Sequence, residues 1–209
     1  MRVDVTAPYP TSAEVLAVGA KEVAEWIDFT YLRHDPLAFG ATRFDEFRRT
    51  ASKGLGIGAN GIYCLGSGAI GWSLNPEKML GSDLKPFDRA SDLDMAFVSE
   101  THFESAWREL RAAEQKWLAR RTTTRGQRAD LDFQRRKFFD GAILGDKISK
   151  LGFRSEWIST LPALRGIAQD ALGRQVKMNF FIYRDYWSVH NSVAKSLYVC
   201  QAKRLSIGA

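Results

Sequence analysis

Two aspartates separated by one residue, Asp92 and Asp94, lie in an otherwise apolar run that continues to Val98. If this run is a β-strand, both carboxylates point to one face of the sheet and Leu93 points to the other. Two like charges on a buried strand repel each other and lose hydration, so the pair requires a nearby cation. Magnesium suits this role, because it binds one or two carboxylates together with substrate phosphates. The structural alternative is that the aspartates cap turns or pair with arginines such as Arg89.

A glycine–serine step, Gly66-Ser67, follows a short apolar run at residues 61–65. Such a step after a strand forms a tight turn whose backbone N–H groups and hydroxyl can cradle phosphate oxygens. A plain strand-exit turn is the alternative interpretation. A second step, Gly81-Ser82, lies nearer to the aspartates, but no convincing strand precedes it. We therefore favour Gly66-Ser67 as the phosphate loop and interpret residues 72–90 as an insertion.

The composition is that of a globular protein, with 209 residues of which 45% are hydrophobic. This length suits one domain spanning residues 1–209. No apolar run approaches the length of a membrane span, and the first ten residues lack the apolar core of a signal peptide. The two cysteines, Cys64 and Cys200, are far apart, which argues against a structural zinc site or a disulfide framework. We expect a cytoplasmic protein that does not contact a membrane.

The net charge is +6, and the basic residues are unevenly placed. Residues 116–137 hold eight lysines and arginines against two aspartates, which equals the whole net excess. A basic excess is compatible with a polyanionic partner, either nucleic acid or the triphosphate of a nucleotide. An RNA-binding protein acting through residues 120–137 is therefore one alternative function, and a solvated helix face is the structural one.

Helical and strand patterns interleave along the chain. The sequence predicts helices at residues 11–33, 42–53, 101–121, 129–143, 158–172 and 185–203, and strands at 61–65, 93–98 and 175–183. Capping boxes at Thr11 to Glu14 and Thr101 to Glu104 mark two of the helix starts. The expected class is α+β, or α/β, with a small mixed sheet flanked by helices.

The segments "GSGAIG" and "SDLDMAFV" together resemble the core motif of the polymerase-β-like nucleotidyltransferase superfamily. The resemblance covers residues 43–121, and more loosely the strand at 175–183. It implies an α+β nucleotidyltransferase-like domain, a small mixed sheet with helical additions at 11–33, 129–143 and 185–203. Members of this size include stand-alone minimal enzymes and proteins of bacterial toxin–antitoxin or antiviral defence loci.

The resemblance also implies roles for individual residues. Gly66 and Ser67 would hold the phosphates of a nucleoside triphosphate such as ATP, and Asp92 and Asp94 would hold Mg²⁺ or Mn²⁺. The implied reaction is metal-dependent transfer of a nucleoside monophosphate to a hydroxyl of RNA, a protein, another nucleotide or a small molecule. From its place beside the third strand, Lys177 is a further candidate phosphate ligand, or else an exposed lysine on the sheet.

One departure from the family pattern concerns the third carboxylate that members carry on a later strand. The matching position here is Asn179, whose amide can ligate a metal but cannot act as a base. Asp185 is the nearest other acid, and a different strand alignment is a further explanation. The alternative function is therefore a catalytically inactive nucleotide sensor or a protein- or RNA-binding module.

Overall fold

A computed structural model describes residues 9–119, 132, 135–148 and 151–207. The strands are β1 (Ile62–Leu65), β2 (Leu93–Val98), β3 (Ala142–Leu144) and β4 (Met178–Tyr183). The α-helices named here are α1 (Ser12–Leu16), α2 (Val23–Trp26), α3 (Gly40–Leu55), α4 (Ser67–Ile70), α5 (Glu100–Ala119), α6 (Gly145–Ile148), α7 (Arg154–Leu172) and α8 (Tyr186–Ile207). None of the helices in these ranges is long and apolar enough to cross a membrane.

The four strands form one mixed sheet in the order β1-β2-β4-β3. The central pair, β2 and β4, is parallel, and the two outer pairs are antiparallel. This arrangement confirms the expected α+β class with a small mixed sheet flanked by helices. The register pairs Asp94 with Leu65 on one side and with Asn179 on the other.

One face of the sheet is closed by a continuous apolar core. On β2 the side chains of Leu93, Met95 and Phe97 point to this face and are fully buried. Helices α3, α5 and α7 supply the opposing side chains, among them Trp157, whose ring packs edge-on at 5.0 Å from Phe97. The alternation of β2 therefore separates a dry core from the face that carries Asp94.

The other face is covered by the N-terminal helices, by α4 and by the long helix α8. Helix α8 buries a stripe at Val189, Val193, Leu197 and Cys200, a spacing that places these side chains on one helix face. These side chains belong to an apolar cluster that includes Ala96 of β2. Toward the start of β2, the side chain on the same face is the polar Asp94.

The single helix predicted for residues 11–33 is wrong. The chain forms α1, then a turn, then α2, which continues as a π-helix at Ile27–Tyr31. The break coincides with Gly19, a poor helix former, whose N–H donates to the Glu22 carboxylate at 3.2 Å. The capping box at Thr11 is confirmed, because its hydroxyl accepts from the Glu14 N–H and the Glu14 carboxylate accepts in return.

The predicted helix at 129–143 is also corrected in its described part. Residues 135–139 are helical, but Gly141 turns the chain with a φ of +70° and β3 follows. A side chain at Gly141 would collide with Ser188, so the turn depends on glycine. Because β3 has only three residues, it is too short to show an alternating pattern in the sequence.

The remaining predicted elements are confirmed with shifted ends. The helices expected at 42–53, 158–172 and 185–203 correspond to α3, α7 and α8, and the three strands correspond to β1, β2 and β4. Helix α5 starts one residue before the predicted cap, because Ser99 rather than Thr101 provides the hydroxyl that accepts from the His102 N–H. Most of the basic segment at 120–137 lies outside the described residues.

Candidate functional site

The predicted carboxylates meet Asn179 at the start of the two parallel strands. Asn179 Nδ2 donates to Asp94 Oδ1 at 2.8 Å and lies 3.4 Å from Asp92 Oδ2. Asp92 directly precedes β2, and Asp94 is its second residue. The parallel register therefore places both carboxylates and one amide on the same side of the sheet.

The Gly66 turn reaches the same point from β1. Because β1 is antiparallel to β2, its last residue pairs with Asp94 and the turn that follows passes over the carboxylate. Gly66 has φ +63° and ψ −150°, a conformation essentially confined to glycine. A Cβ at this position would lie 2.8 Å from Asp94 Oδ2. Glycine is therefore required both by the backbone and by the carboxylate beneath it.

The N–H of Gly66 is already used inside the protein. It donates to the hydroxyl of Tyr31 at 2.7 Å, which ties the turn to the π-helix. Burial raises the pKa of Tyr31, so the hydroxyl stays neutral and can serve as an acceptor. Ser67 then begins α4 and borders the smaller of two cavities at Asp94, so Ser67, rather than the Gly66 N–H, is the possible ligand for a phosphate.

Two cavities meet at Asp94. The larger, about 400 Å³, lies between the sheet and α8 and is bordered by Gly66, Tyr183 and Ser192. The smaller, about 70 Å³, is bordered by Ser67, Ser73, Lys78, Lys85, Asp92 and Asp94. The two cavities share Ser73, Lys78 and Asp94 in their lining, and the smaller one is bordered both by Ser67 and by the two carboxylates.

The alternative step at Gly81-Ser82 lies elsewhere. It forms the exposed tip of a turn in which Leu80 and Asp83 exchange backbone hydrogen bonds. The turn is anchored on α1, where the Ser12 hydroxyl accepts from the Leu84 N–H at 3.1 Å. Neither Gly81 nor Ser82 borders the two cavities at Asp94.

Two other predicted positions have different surroundings. Lys177 lies at the edge of the site, with Nζ 3.4 Å from Asp92 Oδ2 and a side chain that is 73% exposed. Asp185 caps α8 by accepting from the Ser188 N–H at 2.7 Å. At about 3.3 Å per residue, Asp185 lies well over 10 Å along the chain from Asn179. It therefore does not supply the third carboxylate.

The electrostatics of the site are dominated by Asp94. Burial raises the pKa of Asp94, and the neighbouring charge of Asp92 acts in the same direction. The hydrogen bond from Asn179 and the positive charge of Lys78 oppose this rise only in part. A cation placed between the two carboxylates would relieve the same penalty.

The donor set is compatible with a hard divalent cation. Asp92 and Asp94 offer carboxylate oxygens, and a 180° rotation of the Asn179 amide would present its Oδ1 as a third ligand. Within the described residues, no cluster of three or more histidine, cysteine, aspartate or glutamate side chains is placed to hold a metal. This set fits Mg²⁺ or Mn²⁺ that shares its remaining positions with substrate phosphates, and not an ion enclosed by protein ligands.

Three residues at the site are missing from the sequence prediction. Lys78 and Lys85 belong to the segment interpreted as an insertion, and Tyr31 belongs to a predicted helix. None of them has a local pattern that indicates a site. Of the basic segment, Lys137 borders the larger cavity, and Arg135 pairs with Glu114.

Comparison with known proteins does not extend these observations. No protein-family model, no curated protein and no solved structure matches the chain.

Proposed function

We propose that this protein is a metal-dependent nucleotidyltransferase that moves a nucleoside monophosphate from a nucleoside triphosphate to an acceptor hydroxyl. The observation that carries the proposal is the contact between the Gly66 turn and Asp94. There, a turn that excludes any side chain lies directly on the half-buried carboxylate of Asp94. Phosphate-facing groups and cation-facing groups are thereby held within one small cavity.

Each residue has a role that follows from its surroundings. Ser67 offers its hydroxyl and N–H to the phosphates, and Gly66 allows the close approach. Asp92 and Asp94 hold the cation, and Asn179 fixes the orientation of both carboxylates through its amide. When bound, the divalent ion supplies Lewis-acid polarisation of the phosphates.

The reaction forms a bond between the acceptor oxygen and the α-phosphorus and breaks the bond to the bridging oxygen. Pyrophosphate leaves with that electron pair. The acceptor proton needs a base, and Asn179 cannot serve because an amide does not accept a proton near neutral pH. Because Asp92 and Asp94 are the cation ligands, the proton passes to solvent water, and the divalent ion, when bound, would lower the pKa of the acceptor hydroxyl.

Asp94→Asn tests the proposal. Thermal unfolding is followed for wild type and variant with each of the four nucleoside triphosphates and Mg²⁺ or Mn²⁺. A ligand at 100 times its Kd adds about 2.7 kcal/mol to the free energy of unfolding, a shift of a few degrees. We expect one nucleotide to stabilise wild type in a metal-dependent manner and to lose this effect in the variant. No shift with any nucleotide would contradict the proposal.

Labelled nucleotides identify the reaction. Nucleotidyl transfer moves an α-phosphate label to the acceptor, whereas a γ-phosphate label leaves with pyrophosphate. The matched control is Asp170→Asn, which removes an exposed carboxylate from α7 and should leave transfer unchanged. Transfer of the γ-label instead would indicate a kinase and contradict the proposed reaction.

A second candidate function is a nucleotide sensor that binds but does not transfer. The observation that favours it is Asn179, which stands where the resemblance implies a third carboxylate and donates to both aspartates. Asn179→Asp distinguishes the two functions. If wild type binds a nucleotide without transfer and the variant acquires transfer, the sensor is the correct assignment.

A further inference from the structure

The segment between Gly71 and Ser91 is interpreted from the sequence as an insertion. Hydrogen bonds hold its two ends to each other and to the N-terminal part of the chain. The Ser73 N–H donates to the Lys85 carbonyl at 2.9 Å, and the Phe87 N–H donates to the Gly71 carbonyl at 2.7 Å. The Trp72 indole N–H donates to the Pro10 carbonyl at 2.7 Å. These contacts hold the two arms of the segment together and against the N-terminal part of the chain.

The tip that carries Lys78 is held by the last helix. Lys203 of α8 donates from Nζ to the Pro76 carbonyl at 2.6 Å. The 3₁₀ turn at Pro76–Lys78 is also capped by Asn75, whose Oδ1 accepts from the Glu77 N–H at 2.9 Å. The position of Lys78 is therefore set by a long-range contact with α8 as well as by its own turn.

Two lysines of the segment face the carboxylate pair. Lys78 borders both cavities that meet at Asp94, and its charge lowers the pKa of that aspartate. In the part of the chain that the structure describes, Lys78 forms no ion pair. Lys85 borders the smaller cavity, and its Nζ lies 3.0 Å from Asp88 Oδ2. The lining of the small cavity thus combines two carboxylates with two lysines.

We propose that Lys78 and Lys85 form a clamp for the polyphosphate tail of the substrate, and that Lys203 is a positioning residue for Lys78. A cation on the carboxylates would attract phosphate oxygens, and the lysines and the hydroxyls of Ser67 and Ser73 provide partners for the oxygens farther along the tail. The cavity of about 70 Å³ suits a single phosphate group, and Lys78 also borders the cavity of about 400 Å³, which leaves room for the rest of the tail. The nucleotide part of the ligand rests on the proposed function, whereas the anion site does not.

Isothermal titration with inorganic tripolyphosphate and Mg²⁺ tests the clamp without a nucleotide. We expect Lys78→Ala to weaken binding about tenfold, the effect typical of one charge-assisted hydrogen bond, and Lys78→Arg to retain most of the affinity. Lys53→Ala, which removes an exposed lysine from α3, is the charge-matched control. Unchanged binding in Lys78→Ala, or an equal loss in Lys53→Ala, would overturn the clamp.

The positioning role of Lys203 is tested with a matched pair of variants. Lys203→Gln removes the charge but keeps an N–H donor for the Pro76 carbonyl, whereas Lys203→Met removes both. A positioning role predicts that the glutamine variant binds tripolyphosphate more tightly than the methionine variant. Equal losses in the two variants would assign the effect to charge and would overturn the positioning role.

The same measurements separate this inference from the proposed function. Wild type that binds tripolyphosphate in a Lys78-dependent manner but transfers no label would support the clamp and contradict nucleotidyl transfer. Asp94-dependent transfer with unchanged tripolyphosphate binding in Lys78→Ala would support the enzyme and overturn the clamp.

Discussion

The two faces of β2 have different surroundings. On one face, Leu93, Met95 and Phe97 are fully buried against helices. On the other, Asp94 contacts Asn179 and borders two cavities. A single strand thus contributes to a dry core and to the candidate site, because alternate side chains point in opposite directions. The packed side chains on the face of Leu93 hold the strand in place, so that the face of Asp94 can keep its charged groups at fixed separations.

Substitutions in the core that covers the face of Leu93, Met95 and Phe97 should mainly lower the free energy of unfolding. Trp157 is fully buried and packs against Phe97 and Phe180. We expect Trp157→Ala to lower the free energy of unfolding by about 3–5 kcal/mol, because it leaves a large cavity in the core. Urea denaturation measures this cost, and nucleotide binding by the folded fraction should be unchanged.

Trp157→Phe provides the matched control for that prediction. The indole Nε1 of Trp157 is buried without a hydrogen-bond partner among the described residues. Phenylalanine removes this unsatisfied donor and keeps most of the ring volume, so its cost should be clearly smaller than that of alanine. A loss as large as that in Trp157→Ala would show that the core here depends on the full indole shape.

On the face that carries Asp94, the substitution expected to lower the free energy of unfolding is at Gly66. We expect Gly66→Ala to cost about 2–3 kcal/mol, because an alanine cannot adopt this backbone conformation without strain and its Cβ would meet Asp94. Gly81→Ala is the control, since Gly81 also has a positive φ but nothing lies within 4 Å of an added Cβ. Its cost should be about 1 kcal/mol, from the backbone alone.

A double-mutant cycle isolates the contact between the turn and the carboxylate. In an Asp94→Ala background the obstructing oxygen is absent, so Gly66→Ala should cost less than it does in wild type. Additive costs would mean that the strain lies only in the backbone of Gly66 and that the close approach to Asp94 is incidental.

The smallest expected effect is the pH dependence of stability. Because the pKa of Asp94 is raised in the folded state, folding is favoured when this group is protonated. Its contribution is fully present below about pH 4, the usual pKa of an aspartate, and is lost as the pH rises through the raised value. Asp94→Asn should remove this loss. The free energy of unfolding of the variant minus that of wild type should therefore increase as the pH rises.

Urea denaturation across this pH range, without added metal, measures the difference. Asp170→Asn, which alters an exposed carboxylate, should follow the wild-type curve. If the free energy of unfolding of Asp94→Asn minus that of wild type decreased as the pH rises, the pKa of Asp94 would not be raised in the folded state. Added Mg²⁺ should reduce the difference, because a cation at the carboxylates lowers the cost of their charge.

The sequence by itself determined the elements whose patterns are local. The alternation along β2 predicted that Asp94 and Leu93 face opposite ways, and the sequence predicted a helix at 185–203, which corresponds to α8. The Gly66 turn was also visible, because it follows a strand. These features depend on neighbours within a few residues, so a linear pattern is enough to reveal them.

Only the tertiary structure decided which distant residues meet. Asn179 and Asp94 are 85 residues apart, and their contact depends on the register of two parallel strands, which neither strand encodes alone. The approach of Lys78 to the carboxylates depends on the contact between Lys203 and Pro76, two residues that are 127 positions apart. The three-residue strand β3 likewise depends on its pairing with β4, about forty residues later in the chain. Local periodicity reports which way a side chain points, whereas its partners are set by how the elements pack.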